Sequence, residues 1–139
     1  MQVLETLYQN DISRISIDRR NGVIMNAWLR PVEHDEMVVT ADRINQFLRE
    51  TESDKLLLSA LLIGKLLPET KEWLSTTYYK SLSELGIKKL ARVLPDNVFN
   101  RLTFESVITR AEAMGTVNFE VRNFSTDKAA LLWLLEDTL

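Results

Sequence analysis

The first thirty residues carry the patterning of β-strands. Val3 to Gln9 mixes apolar and polar residues and stops at the turn pair Asn10-Asp11. In Ile12 to Asp18 the two-residue period places Ser13, Ile15 and Ile17 on one face and Arg14, Ser16 and Asp18 on the other. Arg19-Arg20-Asn21-Gly22 predicts a hairpin, because Asn and Gly both tolerate positive φ. Val23 to Leu29 is the returning strand. Arg30-Pro31 ends it, since proline has no N–H for the ladder.

The period then lengthens. Met37, Ala41, Ile44 and Leu48 fall at helical spacing within Glu33 to Arg49, with acids in the first turn where the helix dipole suits them. Lys55 to Ile63 is an almost unbroken apolar run, which predicts a strand covered on both faces. Pro68-Glu69 opens a second helix whose inner stripe is Leu74, Tyr78, Leu82 and Leu85. A strand over Lys88 to Leu94 leads into the turn and N-cap Pro95-Asp96-Asn97. Thr103 to Met114 reads as a helix with Phe104, Val107, Ile108, Ala111 and Met114 in register. Val117, Phe119 and Val121 alternate with Asn118, Glu120 and Arg122 in a last strand, Val117 to Phe124, suited to a sheet edge. The cap Ser125-Thr126-Asp127 starts a final helix. Its run from Ala129 to Leu135 is apolar nearly all round, as in a helix that is sandwiched or shared with another chain.

Two helices end on a glycine and turn at once into a strand, at Leu85-Gly86-Ile87 and Met114-Gly115-Thr116. Lacking a Cβ, glycine takes the left-handed conformation that closes a helix. The order β-β-β-α-β-α-β-α-β-α predicts one α/β domain over residues 1–139. Its mixed sheet begins antiparallel and continues through parallel β-α crossovers, with helices packed on it.

Composition narrows the chemistry. Of 139 residues, 45% are apolar and 27% charged, enough for a core and against disorder. A net charge of −3 opposes nucleic-acid binding. The absence of cysteine excludes disulfides, thiolate nucleophiles and Cys-ligated metals, and suits a cytoplasmic location. Met1-Gln2-Val3-Leu4-Glu5-Thr6 lacks the basic and apolar regions of a signal peptide. The apolar runs are far short of the about 20 residues a membrane span needs.

Reactive constellations are sparse, and no catalytic, cofactor or metal residue is expected. His34 is the only histidine; in Glu33-His34-Asp35-Glu36 adjacent helical residues point apart, so the cluster reads as a solvated helix start rather than a metal site. With four glycines there is neither a P-loop nor a Gly-x-Gly-x-x-Gly cradle. Arg92 falls in a central strand, where a charge needs a partner. Asp96 and Asn97 lie at that strand's carboxyl end, and Gly64 and Lys65 emerge beside them from the neighbouring strand. Open α/β sheets place ligands at such ends. Gly64, Lys65, Arg92, Asp96 and Asn97 are therefore the candidate edge for a partner or ligand, against the simpler reading of a buried Arg salt bridge and a helix cap. Trp28, Trp73 and Trp133 read as interface markers or as core.

The order and several stretches resemble small bacterial proteins of the STAS family, the fold of the anti-sigma-factor antagonists. They are nearest its branch compared with CRAL-TRIO lipid carriers. The stretches are Leu85 to Leu94, Asn97-Val98-Phe99, Phe119 to Phe124, and Asp127 to Leu134. The antagonists carry an Asp-Ser-Ser/Thr-Gly-like motif where a central strand meets its helix, and a partner kinase phosphorylates its serine. The matching stretch here, Leu61-Leu62-Ile63-Gly64-Lys65-Leu66-Leu67-Pro68, has no Ser or Thr. The resemblance implies a non-enzymatic cytoplasmic protein-interaction or regulatory module without the phospho-switch. The final helix, through Leu131, Trp133 and Leu134, is a candidate homodimer contact. The alternative is a small apolar ligand or lipid in a pocket under the helices, which requires a cavity of some hundreds of cubic ångströms.

Overall fold

The computed structural model describes residues 3–136; Met1 and Gln2, part of the run read for a leader, lie outside the described residues. Three strands come first: β1 (Glu5–Gln9), β2 (Ser13–Asp18) and β3 (Val23–Trp28). Then follow α1 (His34–Thr51), β4 (Lys55–Ser59), α2 (Pro68–Trp73), a π-helical turn (Leu74–Tyr78), α3 (Tyr79–Glu84), β5 (Lys89–Val93), α4 (Val98–Ala113), β6 (Glu120–Phe124) and α5 (Asp127–Leu134). The strands lie side by side in chain order, β1 to β6. β1–β2 and β2–β3 pair antiparallel, and β3–β4, β4–β5 and β5–β6 pair parallel. The mixed α/β sheet expected from the sequence is the one observed.

Three crossovers stepping the same way across a sheet with one hand put their helices on one face. The core follows that rule. Met37, Ala41, Ile44 and Leu48 of α1 join Leu74, Tyr78, Tyr79 and Leu82, and Phe104, Val107, Ile108 and Ala111 of α4, over Ile15, Ile17, Ile24, Leu56 and Leu90 of the sheet. The opposite face belongs to α5. Ala130, Trp133 and Leu134 pack on Val23, Leu57, Ala91 and Val93. Lys89, also on that face and 4% exposed, donates from Nζ to the carbonyls of Trp133 (3.1 Å) and Glu136 (3.2 Å), closing the end of α5. Trp133 and Leu134 are thus buried inside their own chain, and the outward apolar residues of this segment are Leu132 and Leu135.

Local differences from the sequence reading have local causes. β4 stops at Ser59 because the chain turns over Ala60–Ile63, closed by Ile63 N–H to Ala60 O (3.3 Å), leaving Leu61 and Leu62 exposed. α4 starts at Val98, ahead of Thr103, since the Asn97 side chain accepts from the Phe99 (2.8 Å) and Asn100 (3.4 Å) amides. β6 starts at Glu120, not Val117. Before it, Ser83 Oγ donates to Thr116 O (2.7 Å) and accepts from Asn118 N–H (3.2 Å), so a side chain replaces strand pairing there. The β2–β3 connection is a four-residue loop held by Asp18, whose carboxylate takes the Asn21 amide (3.2 Å) and Nδ2 (2.8 Å); Gly22 has φ +67° and Asn21 does not share the left-handed conformation.

Candidate functional site

Gly64, Lys65, Asp96 and Asn97 do emerge at one end of the sheet, on the loops that follow the adjacent parallel strands β4 and β5. The ends of those strands are tied by Ala60 N–H to Val93 O (2.8 Å), and Leu94 N–H ties β5 to Phe124 O at the end of β6 (2.9 Å). Gly64 has φ +80°, and a Cβ there would come within 3.0 Å of Pro31 Cβ, so the loop after β4 is pressed against the loop after β3. Val32 N–H to Ile63 O (3.2 Å) holds the same contact. Asp96 is exposed and paired only loosely with Arg101 (3.3 Å). Asn97 is occupied as the cap of α4.

What the polar reading missed is the apolar character of this end. Leu61, Leu62 and Leu67 are exposed on the β4 loop. On the first turns of α4, Val98 is 70%, Phe99 82% and Leu102 63% exposed. Exposed apolar residues gathered at one place mark contact surfaces. In the sequence Leu61-Leu62 and Val98-Phe99 carry the signal, but hydropathy alone gives a buried strand for the first and a fold signature for the second. Beside the α4 turns a surface groove of about 300 Å³ runs over Leu94, Arg101, Glu105, Asn123, Phe124 and Ser125.

Arg92 is not part of this edge. It lies 2% exposed in the middle of β5, on the helix-covered face, one row across from Asn26, Leu58 and Asn123. Nor does it form the expected salt bridge. Its Nε donates to Asn123 Oδ1 (2.9 Å), and its Nη1 to Tyr79 OH (3.1 Å) and Phe104 O (3.2 Å), all neutral acceptors. The nearest link to a carboxylate is indirect: Asn123 Nδ2 donates to Glu105 at the floor of the groove.

Tyr79 reaches Arg92 because of the π turn. The Tyr79 amide bonds Leu74 O, five residues back, and this extra residue in the turn brings both Tyr78 and Tyr79 inward. Ser75 and Thr76 encourage the defect by bonding the carbonyls four residues back, Lys71 O (3.0 Å) and Glu72 O (2.8 Å). Under this turn a void of about 30 Å³ is walled by Trp28, Leu58, Trp73, Tyr78, Arg92 and Phe104, among others. It has room for about one or two waters, not for a lipid. The Tyr78 hydroxyl is buried without a partner. Burial, with the neighbouring Tyr79 and Asp42, pushes its ionisation far up, so it stays protonated.

His34 is a latch rather than a solvated start. Its Nδ1 meets Thr70 Oγ1 (3.0 Å), its Nε2 lies 3.6 Å from Glu69, and its ring sits edge-on to Trp73, joining the start of α1 to α2. Among the described residues no group of three His, Asp or Glu is placed to hold a metal. No helix among them is long and apolar enough to cross a membrane.

No family model, curated protein or solved structure matches this chain. The chemistry of the site is therefore read from its own residues.

Proposed function

We propose that this domain is a non-enzymatic interaction module of the bacterial cytoplasm, regulatory in role, that binds a protein partner through the carboxyl end of β4 and β5. The observation that carries the reading is the exposure of Leu61, Leu62 and Leu67 on the loop after β4 and of Val98, Phe99 and Leu102 on the first turns of α4, the segments that follow two neighbouring parallel strands. An apolar centre rimmed by charges, here Lys65, Asp96 and Arg101, has the composition of a protein-binding patch. The STAS likeness supports the same end: there the strand–helix joint carries the phosphorylated serine. Here that joint is Gly64-Lys65 with no hydroxyl, so recognition is constitutive rather than phosphate-switched.

The test is a photo-crosslinking amino acid at position 62 or 99 in the native host, with position 39, an exposed valine on α1, as control. The expected result is one defined protein adduct shared by 62 and 99 and missing at 39. Phe99→Asp should weaken capture at position 62 by about 30-fold, the loss of one hot-spot residue. Equal adduct patterns at all three positions would remove the assignment.

A further inference from the structure

β6 leaves one edge of the sheet open. It is the last strand in the order and, among the described residues, pairs only with β5. Glu120 N–H reaches Lys88 O (3.1 Å) and Phe124 O takes Leu94 N–H (2.9 Å), so the backbones of Glu120, Arg122 and Phe124 face β5. Those of Val121 and Asn123 alternate with them and face outward. The opposite edge, β1, carries a register shift between Thr6 and Tyr8, a bulge of the kind that blunts edge strands. The register of β6 on β5 has no such shift. An unblunted edge offers its N–H and C=O groups to another strand.

The side chains select that strand. Arg122 lies on the α5 face, its Cζ 5.3 Å from the Trp133 ring centre, and Glu120, two residues back, shares that face. Both are exposed, and neither takes part in an ion pair among the described residues. Val121, half-buried, packs on the core of the other face. We propose that β6 pairs antiparallel with β6 of a second copy of this chain, about a two-fold axis at Val121. Val121 then exchanges N–H and C=O bonds with Val121 of the second copy, and these are the groups already turned outward. Glu120 falls opposite Arg122 of the second copy, and Arg122 opposite Glu120. Registers centred on Glu120 or Arg122 would set like charges face to face, which destabilises a strand pair. The order acid, apolar, base in Glu120-Val121-Arg122 is thus its own antiparallel complement. The same edge serves both copies, so the assembly closes at a dimer. A contact one strand wide falls below the about 1,200 Å² of a standard interface, which sets a weak Kd of about 0.1 mM. In the low micromolar range the chain is monomeric. The contact runs along β6 and does not depend on the assignment of the carboxyl end of β4 and β5.

The test is sedimentation equilibrium of the full chain up to about ten times that Kd, at low salt, where exposed ion pairs count most. The expected result is a monomer that passes to a dimer and no further. Arg122→Glu should weaken the association by about tenfold, because it sets carboxylates against each other across the axis. The swap Glu120→Arg with Arg122→Glu restores opposite charges and should bring the association back to the wild-type level. Because the chain has no cysteine, the register can be read by oxidation. Val121→Cys should give a covalent dimer, its Cα atoms about 5.5 Å apart across the axis. Glu120→Cys alone and Arg122→Cys alone should stay monomeric, since each lies about 8 Å from its own copy, beyond disulfide reach. An equal mixture of those two variants should cross-link to a heterodimer. This readout decides the matter even where Arg122→Glu folds poorly. A monomer throughout the concentration range would overturn the proposal. So would a swap that fails to rescue, or equal cross-linking of positions 120, 121 and 122 each on its own.

Discussion

Replacing Trp133 by alanine separates two uses of the C-terminal helix. In the structure the ring is 4% exposed. It faces Val23, Leu57, Ala91 and Val93. Lys89 Nζ stands 5.1 Å and Arg122 Cζ 5.3 Å from its ring centre, and Phe124 packs at 5.7 Å. A buried tryptophan covers about 200 Å², which at about 25 cal/mol/Å² gives about 5 kcal/mol as an upper bound. Measured Trp→Ala costs of about 3–5 kcal/mol agree. The cation–π contacts are part of that loss, not additional to it. We expect about 4 kcal/mol. For a chain of this length that corresponds to a Tm drop of about 14 °C, using about 2.1 cal/mol/K per residue for the unfolding entropy. The assay is urea unfolding at two protein concentrations well apart, followed by circular dichroism. The expected result is a large fall in midpoint that does not depend on concentration. If Trp133 instead served a dimer, wild-type unfolding would shift with concentration. The variant would then lose that dependence, at a cost under about 1 kcal/mol in the dilute sample. That outcome would refute the intramolecular reading.

Two other perturbations test local claims. The Glu36 carboxyl is pulled down to about 2 from its ordinary 4.5, first by the Arg30 guanidinium at 2.6 Å and then by the Glu33 amide. A carboxyl lowered by folding stabilises above its unfolded pKa and loses that contribution as pH falls through the folded one. Glu36→Gln should therefore melt below wild type at pH 7, and the difference should close between about pH 4.5 and pH 2; a gap that is constant with pH would count against the pair. Gly64→Ala and Gly86→Ala share a left-handed φ near +80°, but only position 64 also meets Pro31 at 3.0 Å. Each should lose about 1–2 kcal/mol to backbone strain, and Gly64→Ala measurably more; equal losses by chemical denaturation would mean that the loop yields.

The regular elements were legible because each has a period or a stop signal of its own. Met37, Ala41, Ile44 and Leu48 declare the buried face of α1 without help from the rest of the chain. Gly86 and Gly115 take φ of +81° and +71° where the helices close, and Asn97 caps α4 as its side chain suggests. The failures lie where a residue's fate is set by distant neighbours. Leu61 and Leu62 carry the same hydropathy as Leu56 and Leu57, and only the turn at Ala60 puts them in water. The inward placement of Tyr79 follows from a π turn, which shifts the helical phase by one residue and has no periodic signature. Arg92 announced a need for a partner, but that the partner is Asn123 depends on the β5–β6 register.

The strand order restricts where this fold can recognise anything. Open α/β sheets form their ligand crevice at a reversal of strand order, where crossover helices diverge to opposite faces. Here the order runs from β1 to β6 without reversal, and the crossover helices α1 to α4 share one face. No crevice is opened by the topology at the carboxyl ends of β4 and β5, only a row of loops. A row of loops with outward Leu62, Val98 and Phe99 suits a broad apolar contact better than an enclosed substrate. The helix-covered face, meanwhile, is packed down to a void of about 30 Å³. A molecule of several hundred cubic ångströms would have to part α1 from the π turn, exposing Met37, Ile44, Leu74 and Tyr78. At about 1.5–3 kcal/mol for each such side chain, that opening would consume a large part of the stability of a domain this size.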